Sequence, residues 1–307
     1  PPGLAARARA LAGAGIGALL AQQCAVVVLL KLSLTAGDEG TNTVFIYTQA
    51  VYLLPYAVLA VPLATSTFPR IATRVAADDG PGLRHMVAVT TRGIVAVGAL
   101  GAALLVAVAP AVAALFGSLG SSGDPALIEA MSPALAWMAP GVVGFALVFH
   151  VSRILYTLDR GRVAVTSTAL GWVVVILAAF VLTRLLVPGE ADGPRALIAL
   201  CGAMAIGMLV AGGALLLGLP AAAGRGALMG MGRTGLVLLA STPAGAVLGR
   251  LATDAALSLL GTGRGGAVLA GGVGAVLACV IVGGAVIGLD RVTLRELRNL
   301  DRAAVPS

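Results

Sequence analysis

Charge is what this chain has least of. Its 307 residues hold 13 acidic and 20 basic side chains, 11% in all, where soluble domains carry about a quarter. Aromatic residues are 4% and histidines two, while 59% of the chain is hydrophobic and mean hydropathy is +1.02. A soluble globular fold is excluded by that balance. Although the net charge is +7, no basic cluster is interleaved with aromatics, so nucleic acid is not a partner. The three cysteines, Cys24, Cys201 and Cys279, fall in separate apolar segments without ligand spacing and read as packing residues. His85 and His150 also show no ligand spacing and are placed at the cytoplasmic ends of segments, so no metal site is expected. No nucleophile, base and acid stand at a recognisable spacing, and the glycine-rich runs follow no strand. The sequence therefore predicts neither an enzyme nor a cofactor.

What is present is long apolar runs. A bilayer core of about 30 Å needs about 20 apolar residues per helix, and eight runs qualify, at residues 12–34, 44–68, 87–116, 131–151, 163–187, 196–219, 235–260 and 266–289. These runs are apolar on all faces, which excludes the alternating pattern of a β-barrel. The fold class is all-α, a polytopic membrane helix bundle of about eight transmembrane helices. Arg70, Arg74, Arg84, Arg153, Arg160, Arg162, Arg225 and Arg233 occupy alternate connections, and Arg7, Arg9, Arg291, Arg295, Arg298 and Arg302 flank the bundle. The other connections carry mostly Asp38, Glu39, Asp124, Glu129, Glu190 and Asp192, with only Arg184 and Arg195 basic. Arginine excess marks the cytoplasmic side, so both termini are expected inside a plasma membrane. Leu294, Leu297 and Leu300 give the basic tail the spacing of an amphipathic helix on the inner leaflet, or of a solvated tail. The opening PPGLAARARALAG has no initiator Met and no signal peptide, so the chain is expected to be a fragment of a longer one.

Polar groups inside these runs are functional candidates, because ionisable groups in mid-membrane cost about 2.5–3.5 kcal/mol on insertion scales. Lys31 and Arg92 stand near segment ends, where each can snorkel to headgroups or face a cavity. Gln22 and Gln23 lie near the middle of the first segment and need a partner from another helix, a cavity water or a substrate. Gln49, Tyr52 and Tyr56 share one face of segment two, as an interfacial belt or a cavity lining. Arg250 and Asp254 are spaced to pair as a local stabiliser. Glycine-rich stretches such as AGGVGAVLA predict close helix packing, with Gly284 and Gly288 in GxxxG spacing.

Segment two also carries Pro55, Pro62 and Pro69, seven residues apart and so on one side of a helix. Each removes an amide donor and displaces the carbonyl four residues back, at Val51, Val58 and Thr65. Such breaks are tolerated beside protein or a watery cavity, and three on one face predict a bent, hinge-capable helix of the kind that transporters rock upon.

The string YTQAVYLLPYAVLAVPLATSTFPRIATR, residues 47–74, resembles the eighth helix of the MurJ (MviN) lipid II flippases, through Tyr47, Leu54, Pro55, Ala64, Thr65, Phe68, Pro69 and Arg74. SRILYTLDRGRVAV, residues 152–165, resembles the family's loop after its tenth helix, through Arg153, Tyr156, Asp159 and Arg162. The resemblance implies the multidrug, oligosaccharidyl-lipid and polysaccharide exporter fold, of which residues 1–219 supply the second six-helix lobe and its linker. Residues 220–289 would add two helices forming a groove for a lipid tail, and 290–307 a basic tail. It implies alternating-access flipping of undecaprenyl-linked peptidoglycan precursor, lipid II or a related polyprenyl diphosphate glycan, from inner to outer leaflet. The implied partners are that substrate, membrane lipids, a first lobe supplied by the same gene or another chain, and cell-wall synthesis or regulatory proteins. The family's usual arginine before the Leu-Pro pair is Ala50 here, and its acidic neighbour is Gln49. Segments one, five and six hold no Asp, Glu or Asn for sodium. The alternatives are a non-transporting scaffold that recruits cell-wall proteins, a flippase for another polyprenyl-linked glycan, or a drug exporter of the same superfamily.

Overall fold

Runs this poor in polar side chains must satisfy their backbone groups internally, and the helix is the local way to do so. The computed structural model describes residues 4–120 and 124–289, with side chains from residue 15 onward. Every regular element among the described residues is helical. They are α1 (Leu4–Thr35), α2 (Thr41–Pro55), α3 (Val61–Ala76), α4 (Gly80–Ser118), α5 (Pro125–Glu129), α6 (Met131–Met138), α7 (Gly141–Thr157), α8 (Gly161–Leu186), α9 (Gly193–Ala223), α10 (Met231–Leu260) and α11 (Arg264–Leu289). Seven continuous stretches are long and apolar enough to cross a membrane, and an eighth span, Pro125–Thr157, is bent by 52° between α6 and α7. The segment expected at 131–151 is thus a broken span that begins earlier, at Pro125. Pro140 sits at the break, where it has no amide to give Ala136. The residues of the expected amphipathic tail lie outside the described residues.

At the proline ladder of segment two the regular α-helix is interrupted by a specific device. Residues Tyr56–Ala60 form one wide π turn between α2 and α3. The Tyr56 amide donates three residues back to Leu53, and the Val61 amide donates five back to Tyr56. Threonine hydroxyls bind carbonyls in the turns that follow: Thr65 donates to Val61 at 2.8 Å and Thr73 to Pro69 at 3.0 Å.

α9 is the axis of the bundle, packed against α7 and α8 along most of its length. Small residues let the backbones touch. A methyl group added at Gly144 would overlap the Met208 carbonyl, and Gly207 meets Gly171 in the same way. Dispersion accumulates over such contacts in place of a hydrophobic force that lipid cannot supply. The hairpin α10–α11 packs on α4. Thr253 donates to Ala107 at 2.7 Å where Gly249 and Gly274 bring the three helices together. AGGVGAVLA therefore does mediate close packing, through Gly274, whereas a methyl added at Gly284 or Gly288 would meet nothing within 4 Å among the described residues, and the expectation for that pair is corrected.

The acidic end is tied by a polar knot. Asp38 accepts the Gly193 amide at 2.7 Å, the Asp192 amide donates to Ala36 at 2.9 Å, and the Ser33 hydroxyl bonds Asn42 at 3.3 Å. These bonds join the ends of α1, α2 and α9. At the arginine-rich end, Asp79 caps α4 by accepting the Gly82 amide and pairs with Arg74. The amide bond first, then the guanidinium, holds its carboxyl below the usual aspartate range. Arg233 closes the last hairpin by donating to the Leu289 carbonyl at 2.6 Å.

Candidate functional site

The helices that leave the knot do not stay together. α1 lies along α8, buried through the i+4 stripe Ala25, Leu29 and Ser33. α3 instead lies against α4 and α7, through Ala60, Ala64, Thr67 and Ile71. The two therefore diverge toward the arginine-rich end, and the face of α7 between them is left half-open. That face carries Phe145, Phe149, Arg153 and Tyr156, with Ser152 beside them. On the α1 side, Gln22 and Tyr156 border a cavity of about 320 Å³ with Thr168. On the α3 side, Tyr56 packs edge-on to Phe145 and Phe149, with ring centres 4.7 Å and 5.5 Å away.

The sequence candidates separate into three groups. Gln22 and Tyr56 border this cleft. Gln23 and Lys31 are exposed on α1 and Gln49 is half-buried on α2. Tyr52 and Arg92 are buried, at 1% and 5% exposure. Among the described residues no side-chain hydrogen bond ties up Gln22, Gln23 or Gln49. Tyr52 stands edge-on to Phe145, its unpartnered hydroxyl against Gly141 just past the break in the fourth span. Arg92 donates to the Ala88 carbonyl at 3.3 Å and lies over Gly230, on the α10 side of α4 and away from the cleft. Pro55 is half-buried against Gly101, while Pro62 and Pro69 are exposed.

Two placements from sequence are corrected. His150 is not at a segment end but fully inside the bundle, 2% exposed and 3.2 Å from the Thr90 hydroxyl, tying α7 to α4. Arg153, read from sequence as a connection residue, lies within α7 with its guanidinium carbon 3.9 Å from the centre of the Phe149 ring. The signal for it was available in the spacing Phe145, Phe149, Arg153, one residue per turn. Arg250 and Asp254 do pair, at 3.9 Å, and Arg250 also donates to Ser132 at 3.0 Å, linking α10 to α6.

A second concavity opens on the opposite flank. It holds about 400 Å³ between α4, α7, α9 and α10, is lined by Ala99, Ala102, Pro140, Val143, Pro243 and Ala246 among others, and is almost wholly apolar. A half-open cleft that offers the polar groups of Gln22, Tyr156 and Thr168 on one side of the bundle and an almost wholly apolar groove on the other can meet a ligand with a polar head and a hydrocarbon tail. A family model described as lipid II flippase MurJ matches residues 4–220, the greater part of the chain. The chain belongs to the MurJ lipid II flippase family. That family is one of transporters, which accords with the many apolar spans of a multi-pass membrane protein. No solved structure gives a significant match. The MurJ match ends before α10, so the groove is built jointly by matched helices and by a helix outside the match.

Proposed function

We propose that this protein flips lipid II, or a closely related polyprenyl diphosphate glycan, from inner to outer leaflet by alternating access. The observation that carries this reading is the divergence of α1 from α3 above a half-open α7 face. In this reading the arginine-rich end is cytoplasmic, as arginine bias directs. The cleft, with Gln22 and Tyr56 on its walls, forms one half of a headgroup chamber. The other half comes from a first lobe, in the same gene product or a partner chain. The prolines of segment two are its hinge. Residues 1–219 act as the second lobe, and the α10–α11 hairpin of 220–289 closes the apolar groove over the polyprenyl tail. A charged, sugar-bearing head cannot cross hydrocarbon unaided, while the tail has no reason to leave it.

The test is depletion of the full-length protein in its own cells, with lipid II on each leaflet quantified. Inner-leaflet accumulation is expected, relieved by wild type and not by Ala246→Trp, which fills the groove. Intact wall synthesis without accumulation would overturn the proposal in favour of a recruiting scaffold. Rescue by Ala246→Trp at the wild-type level would remove the groove from the mechanism.

A further inference from the structure

We infer that Arg153, held over Phe149 beside Tyr56, is a phosphate-binding cation of the cleft and receives the diphosphate of the lipid-linked substrate. This rests on the flippase reading above and deepens it.

The argument starts from how the guanidinium is held. Its carbon lies 3.9 Å from the Phe149 ring centre, where the aromatic quadrupole attracts the cation and holds it against the ring. The N–H groups lie around the edge of the planar guanidinium, and two of them can meet two oxygens at once. Fork geometry of this kind matches phosphate better than an ammonium does. Phe149 is itself braced by Tyr56, whose ring meets it at 86°. The cation is therefore oriented before any ligand arrives, which lowers the entropic cost of binding.

Its charge is also uncommitted. Among the described residues no carboxylate pairs with Arg153, whereas Arg74 is taken by Asp79. Asp159, the nearest acid along the chain, is exposed in the turn beyond α7. A further donor stands close by, since Tyr56 is within electrostatic reach of Arg153. A half-buried cation without a counter-ion, beside an aromatic hydroxyl on a half-open helix face, has the chemistry of an anion subsite rather than of an orientation signal.

Tyr56 begins the π turn between Pro55 and Pro62. A change of bend in segment two would move the Tyr56 hydroxyl relative to Arg153, so the same residues that hold the phosphate would register the state of the hinge.

The experiment uses the full-length protein in vesicles, with lipid II binding and flipping both measured. Each is repeated with and without phosphatidylglycerol, whose phosphate offers the same chemistry. Variants are Arg153→Gln, Arg153→Lys, Phe149→Leu and, as a charge control, Arg160→Gln in the exposed turn. Thermal midpoints check that each is folded. Arg153→Gln is expected to weaken lipid II binding at least tenfold in both membranes, Arg153→Lys and Phe149→Leu to weaken it less, and Arg160→Gln to leave it unchanged. Equal losses in Arg153→Gln and Arg160→Gln would reduce the residue to general charge and overturn the inference. So would a loss seen only with phosphatidylglycerol present, which would make the phospholipid headgroup the ligand. Wild type that binds and flips lipid II while Arg153→Gln matches it sinks this inference alone. Wild type that binds no polyprenyl diphosphate sinks the flippase reading and this inference with it.

Discussion

At the residue scale, small side chains carry the packing and polar ones carry the exceptions. Gly144 has no room for a side chain, because Met208 backbone atoms occupy the space a methyl would fill. Overpacking of a filled contact costs typically about 1–3 kcal/mol. Gly144→Val should therefore lower the thermal midpoint in detergent clearly, while Gly284→Val, which faces open space, should change it by no more than the about 0.5 kcal/mol typical of surface sites. Equal midpoints for the two would mean that α7 and α9 are not in backbone contact. Which glycine of a rich run does the packing could not be read from sequence. AGGVGAVLA and the GxxxG at Gly284 look alike as strings, and only the crossing of α4 over the last hairpin selects Gly274. His150 was misplaced for the same reason. A lone histidine near an arginine reads as an interface residue until a second helix is seen to cover it.

At the scale of elements, the interruption of segment two was legible and its form was not. Three missing amides announce that carbonyls must find other donors, but where they find them depends on neighbours. Pro55 rests against Gly101 of α4 and Tyr52 against Gly141 of α7, so the chain before the break is fixed and the slack is taken up in the single π turn after it. Pro133 and Pro140 repeat the seven-residue spacing in the fourth span. There Pro133 is absorbed in the first turn of α6, where helices tolerate proline, and only Pro140 breaks the chain. Spacing alone does not distinguish the two cases. Restoring the amide with Pro62→Ala should let Val58 regain its partner and favour a regular helix. Flipping by the full-length protein should fall several-fold with the thermal midpoint unchanged or raised. An unchanged rate would show that the π turn is not part of the moving hinge.

At the scale of the molecule, the apolar runs set the number of spans, because that property is summed over many residues and survives local error. The cleft was legible only in part. Gln22 and Tyr56 could be picked out as polar groups among apolar ones, but Tyr52 on the same helical stripe turns into the bundle, and Arg153 was hidden by its nearness to a connection. The knot at Asp38 adds a constraint of its own. Three backbone and side-chain bonds fasten α1, α2 and α9 at one end, and each contributes about 1 kcal/mol. Spin labels at the ends of α1 and α3 remote from the knot should change separation during turnover, and labels near residues 36 and 193 should not. Movement at both ends alike would mean that the knot opens. A pair of rods pinned at one end behaves as tweezers: travel grows with distance from the pin, so the widest mouth belongs to one surface of the membrane only. On the proposed flippase reading, a lobe built this way would open to one side by itself, and exit to the other would come from rocking it as a whole.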